Sequence, residues 1–138
     1  MMFWKRLFRQ AEPRPALHGT SQEDPILCGG GPAGERAYLE RIRCPSGSFV
    51  RYERLGSFST TRTAFLRKPD VIVDLGPSMS SRRAAEYIDP TEVSLDEYLL
   101  VCECGRHQLR VFFDMYHRGP EAAIGVGWNL VARPDTER

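Results

Sequence analysis

Four of the cysteine and histidine side chains in this 138-residue sequence could together hold a soft metal ion. Cys102, Cys104 and His107 stand together in the string Cys-Glu-Cys-Gly-Arg-His, and Cys44 opens a Cys-Pro-Ser-Gly turn earlier in the chain. Thiolates and a neutral imidazole are ligands that Zn2+ accepts in a tetrahedral set of four. A hairpin turning at Gly105-Arg106 would pair Cys104 with His107 and Cys102 with Leu109. Side chains two apart on a strand point the same way, so Cys102, Cys104 and His107 would share a face, with Cys44 or Cys28 as the fourth ligand. Alternate residues of a strand sit about 6.5–7 Å apart, so no disulfide is expected between Cys102 and Cys104. The competing reading is a reduced, buried core. Leu100, Leu109, Val111 and Phe113 fall on the same face, and cysteine is often a core residue.

Cys44-Pro45-Ser46-Gly47 resembles half of a zinc knuckle, without the second cysteine of a C-x-x-C pair. A second motif is Ile26-Leu27-Cys28 followed by Gly29-Gly30-Gly31-Pro32-Ala33-Gly34. Gly29, Gly31 and Gly34 satisfy G-x-G-x-x-G after a strand and at the start of a helix. GGGPAG resembles the phosphate-binding turn of flavoproteins and other dinucleotide-binding enzymes. That resemblance implies a pyrophosphate at the helix N-terminus and a ribose-binding acid about 20 residues on, where Glu53 stands. The alternative is a glycine turn that only opens the helix, in keeping with the polar Glu35, Arg36, Glu40 and Arg41 that follow. A third cluster, Asp114, Tyr116 and His117, has acid–base residue types. Strand alternation would split Asp114 from His117, so a structural carboxylate is expected and no catalytic residue is assigned.

These residues need elements to position them. Helical spacing is expected over 33–43, with Pro32 in its first turn and Ala37, Tyr38 and Ile42 on one face. A short second helix is expected near 80–88. The fold class is α+β: a mostly antiparallel sheet from 49–58, 70–75, 97–104, 107–116 and 123–131, with the 33–43 helix packed on one face. On the first strand Val50, Tyr52 and Leu55 are expected to point inward. Residues 25–134 form one globular domain in this scheme, preceded by an N-terminal amphipathic segment and linker over 1–24.

Within that segment Phe3, Trp4, Leu7 and Phe8 line one side of a helical turn, opposite Lys5, Arg6 and Arg9. They offer a docking element for another protein, or a membrane-surface contact by residues 1–10. No apolar run approaches the ~18 residues of a membrane span, and the first ten residues do not form a secretion signal. A cytoplasmic location with reduced cysteines is therefore expected. Lys5 and Lys68 are the only lysines, a bias that a GC-rich bacterial genome would give.

The net charge of +1 draws in no polyanion. Arg51, Tyr52 and Arg54 interleave as in single-strand binders, but the chain beyond its first sixteen residues is net negative, which argues against nucleic acid. The leading expectation is a small, non-enzymatic binding or regulatory domain whose partner is another protein. The alternatives are a dinucleotide- or anion-binding protein using residues 29–34, and a small structural-zinc protein using Cys102, Cys104, His107 and Cys44. The sequence sets no oligomeric state, although the glycine-bared last strand offers a pairing edge.

Overall fold

In the computed structural model the described residues are 17–61, 63–77 and 81–132, with backbone alone at 81 and 82. In chain order the elements are β1 (Ile26–Leu27), α1 (Gly31–Glu40), β2 (Ile42–Arg43), β3 (Val50–Thr60) and β4 (Ile72–Val73), followed by α2 (Ser81–Ala84), β5 (Val93–Cys102), β6 (Gln108–Asp114), β7 (His117–Arg118) and β8 (Asn129–Leu130). Single 3-10 turns lie at Ala64–Arg67 and Ala85–Tyr87. The class is α+β, mostly sheet with one substantial helix.

Alternation builds the centre. Along β5 the residues Asp96, Tyr98, Leu100 and Cys102 are all buried on one face. Their antiparallel neighbours on β6 are Phe113, Val111 and Leu109, and the next buried residue, Ile26, stands on β1 beside Phe113. The strand order is β1-β6-β5-β3, antiparallel except for the short parallel pair β1–β6. Helix α1 covers this face with Gly31, Glu35, Tyr38 and Leu39, the i, i+4, i+7, i+8 stripe of an amphipathic helix. The Tyr38 ring meets Phe113 edge-on at 5.6 Å. On the opposite face, Val93 and Leu95 pack with Phe65 of the first 3-10 turn. A strand buried on both faces cannot be read from alternation alone.

Several expected strands take other forms. The 70–75 run contributes only β4, which pairs with β7 in a separate two-stranded ribbon, and Ile72 is exposed. The 123–131 run is not a strand through Ile124, Val126 and Trp128. Gly125 and Gly127 have φ of +55° and +79°, so the chain turns there and only Asn129–Leu130 remains extended, against β2. Strand β3 holds the expected position but is mostly exposed, including Tyr52 and Leu55. It is an edge strand, and a bulge between Arg54 and Gly56 shifts its register. Helix α1 ends at Glu40, so Ile42 belongs to β2. Its end is tied down by Arg41, whose guanidinium makes paired bonds of 2.8 and 2.9 Å to Glu121 while its Nε donates to the Val131 carbonyl at 2.8 Å. Residues 17–24 lie against the domain: the Phe112 amide donates to the Gly19 carbonyl at 2.8 Å.

Candidate metal centre

The β5–β6 loop is longer than a two-residue turn. Val101 pairs with Gln108, and the Cys102 amide donates to the His107 carbonyl at 3.1 Å. Cys102 therefore pairs with His107 rather than with Leu109. Cys104 does not pair with His107; it lies in the loop, where the Gly105 amide closes a turn on the Cys102 carbonyl at 3.0 Å. The loop folds back, and the Cys102 and Cys104 Cα atoms come within 5.3 Å. The two are joined as a disulfide, against the sequence expectation. That expectation assumed an extended strand through Cys104, and the turn removes the assumption.

The fourth residue arrives from the far side of α1. After β2 the chain makes a tight turn, with the Gly47 amide donating to the Cys44 carbonyl at 2.8 Å and the Cys44 amide to the Ser48 carbonyl at 3.1 Å. This turn delivers the fully buried Cys44 to the hairpin loop. Cys44 Sγ lies 3.9 Å from Cys104 Sγ. His107 Nδ1 lies 3.4 Å from Cys104 Sγ and 3.7 Å from Cys102 Sγ. One donor atom from each of Cys44, Cys102, Cys104 and His107 lies within 4.8 Å of all the others. These are the four residues singled out from the sequence.

Their surroundings suit thiolates. Ser46 Oγ sits 3.0 Å from Cys44 Sγ, and the His107 amide donates to Cys102 Sγ at 3.3 Å. Burial alone would disfavour an ionised Cys44. Hydrogen bonds from the Ser46 hydroxyl and from the Ser48 and Ser46 amides outweigh it and hold the thiol below its usual range. The Gly125–Gly127 turn carries buried Trp128 to the site, where its ring meets His107 edge-on at 6.5 Å. Cys28 is elsewhere: its S–H faces the Asp114 carbonyl at 3.6 Å, and burial, with help from nearby carboxylates, pushes its pKa up.

The other sequence candidates are placed differently. Gly29, Gly31 and Gly34 form the turn into α1, but its amides are in use. Gly30 N–H donates to the Asp74 carbonyl at 2.8 Å and Gly31 N–H to the Met115 carbonyl at 2.9 Å. The turn packs so tightly that a side chain on Gly34 would overlap the Gly29 carbonyl, and one on Gly76 would overlap the Gly30 carbonyl. Glu53 stands on β3 at one edge of the sheet, while the glycines follow β1 at the other. Three strand spacings, about 14 Å, separate those edges, so the structure does not bring Glu53 to the glycines. Phe3, Trp4, Leu7 and Phe8 lie outside the described residues.

Asp114 and His117 do meet, contrary to the expected alternation. β6 ends at Asp114 and the chain turns, so Asp114 Oδ2 lies 2.7 Å from His117 Nδ1. Asp114 Oδ1 accepts from the Tyr116 and His117 amides at 2.8 and 3.2 Å. His117 Nε2 lies 2.8 Å from the Tyr87 carbonyl. Both ring nitrogens face acceptors, so the buried ring carries both protons. Burial works against that charge, but the Asp114 hydrogen bond, its charge and the Tyr87 carbonyl overcome it and raise the pKa.

One pair escaped the sequence reading. Glu35 and Asp96 are both buried, and each acts on the other's ionisation: Asp96 helps to raise the Glu35 pKa and Glu35 helps to lower that of Asp96. The available signal was Glu35 standing i−3 and i−4 from Tyr38 and Leu39 on α1, which puts it on the covered stripe. No family model, curated protein or solved structure matches this chain.

Proposed function

We propose that this protein is a small zinc-binding domain in which Cys44, Cys102, Cys104 and His107 hold one structural Zn2+. The observation that carries it is the convergence of four donor atoms within 4.8 Å of one another, with Cys44 standing 60 residues before Cys104 in sequence. Zinc bonds of about 2.3 Å to sulfur and about 2.0 Å to nitrogen put tetrahedral sulfurs about 3.8 Å apart, and sulfur and nitrogen about 3.5 Å apart. Three of the six separations, 3.9, 3.4 and 3.7 Å, lie close to those edges, and a fourth, Cys102 to Cys104, is closed by the disulfide. The Cys102–Cys104 disulfide is the oxidised form of the same ligand pair. An external thiol reductant supplies the two electrons and two protons that convert it to two thiols and is itself oxidised to a disulfide, and zinc then displaces the thiol protons. Three thiolates and an imidazole leave no position open to substrate, which makes the centre a structural one and agrees with a non-enzymatic binding domain.

Metal analysis of protein purified under reducing conditions without chelator is the test. About one zinc per chain is expected, lost in Cys44→Ser and His107→Ala and kept in Cys28→Ser. Less than about one tenth of an equivalent, in protein that also fails to take up added zinc, ends the proposal.

A further inference from the structure

Glu35 is 3% exposed, and its Oε1 accepts from the Tyr98 hydroxyl at 2.7 Å. Its Oε2 is buried and faces no protein donor among the described residues. Across from it, Asp96 has donors on its Oδ1: Arg54 donates at 3.0 Å and the Ser57 hydroxyl also bonds that oxygen. Two carboxyl groups that line one groove and shift each other's ionisation in this way favour a single proton between them. Among the described residues the cation bonded to the pair is Arg54, which serves Asp96, so Glu35 holds that proton. Burial and the Asp96 contact raise its pKa to about 8, against the Tyr98 hydrogen bond, which lowers it.

The pair lies in a groove of about 430 Å3 between α1 and the outer strand β3, lined also by Pro32, Arg36, Tyr52 and Met115. Tyr52 and Tyr98 set their rings edge-to-face at 6.0 Å on one wall. Arg36 stands exposed on the rim, without an ion-pair partner among the described residues. The groove thus joins a buried, protonated carboxyl group, two phenol rings and a guanidinium with no ion-pair partner among the described residues. Carboxylate and aromatic faces are what an ammonium group selects. A free guanidinium selects a carboxylate.

We propose that this groove binds a small amino acid, whose ammonium group replaces the shared proton between Glu35 and Asp96 and whose carboxylate meets Arg36. The site is separate from the metal centre: Tyr98 lies four residues before Cys102 on β5, about 13 Å by strand rise. Binding expels the Glu35 proton to solvent: the ammonium charge takes the proton's place between the two carboxylates, and the ligand carboxylate is matched by Arg36, so the groove as a whole becomes one unit more negative.

Calorimetric titration of the zinc-loaded full chain at pH 7 tests this with three probes: 6-aminohexanoate, butylamine and hexanoate. 6-Aminohexanoate is expected to bind at least about tenfold tighter than either single-ended probe. Its apparent heat should vary with the ionisation heat of the buffer, as release of roughly one proton requires. Glu35→Gln should abolish the proton release and weaken 6-aminohexanoate about tenfold, and Arg36→Gln should weaken 6-aminohexanoate but not butylamine. Glu35→Met, which removes a buried carboxyl, should raise the melting temperature while abolishing binding. Absence of heat with 6-aminohexanoate and butylamine up to about 10 mM overturns the proposal. So does hexanoate binding as tightly as 6-aminohexanoate, or a Glu35→Gln protein that melts lower and binds unchanged.

Discussion

Asp114 illustrates how one carboxylate can organise a segment of chain. It fixes two amides of its own turn and, through His117, reaches the Tyr87 carbonyl at the end of the 81–87 segment. Both side chains are almost fully buried, so cutting one away leaves the other without its partner. Asp114→Ala is expected to cost about 3–5 kcal/mol in denaturant unfolding at pH 6. A loss below about 1 kcal/mol would contradict the buried pair. The pH dependence follows from the raised His117 pKa. Folding takes up a proton there, so the stabilisation is complete below about pH 6.5, the ordinary imidazole value. It is lost as pH rises through the higher folded-state value. The stability difference between wild type and His117→Gln should therefore shrink from about pH 6.5 upward, measured by urea titration across that range. A difference that grows with pH would reverse the assignment of a charged ring.

At the scale of elements, the glycine turn and the hairpin loop show what a sequence carries and what it does not. Alternation and helical spacing located the β5–β6 hairpin and α1, and residue chemistry alone picked out Cys44, Cys102, Cys104 and His107. The loop register was not legible, because Gly105-Arg106 fits a two-residue turn locally. The observed loop is four residues long, and the pairing of Leu100 with Leu109 and Val101 with Gln108 fixes it only once both strands are in place. The 123–131 run failed for a local reason, since glycines suit either a bared strand or a positive-φ turn. The Asp114–His117 contact and the β4–β7 ribbon depend on where β6 stops, which is a tertiary matter. For the glycine turn the structure supplies a packing role. Gly34→Ala drives a methyl into the Gly29 carbonyl, so a loss of about 1–3 kcal/mol is expected by thermal or denaturant unfolding. An unchanged protein would show that the turn has room to spare.

For the whole molecule, a bound metal is a cross-link. It would tie Cys44, beyond α1, to Cys104, at the hairpin tip, and so close a loop with a sequence separation of 60. Chain entropy gives such a closure about 4 kcal/mol. Zinc-loaded protein should thus melt several degrees above the chelated, reduced form in a calorimetric scan, and coincident melting curves would deny the metal a structural role. The β3 flank carries a different consequence. Its eleven residues, Val50–Thr60, have β5 on one side and no strand on the other among the described residues. Unpaired N–H and C=O groups in such a row can template fibril growth. Arg51, Glu53 and Arg54, with the kink after Arg54, act as gatekeepers against that polymerisation. Replacing Arg51 and Glu53 together by Val should turn a dispersed protein into one that scatters light on storage, without lowering its melting temperature.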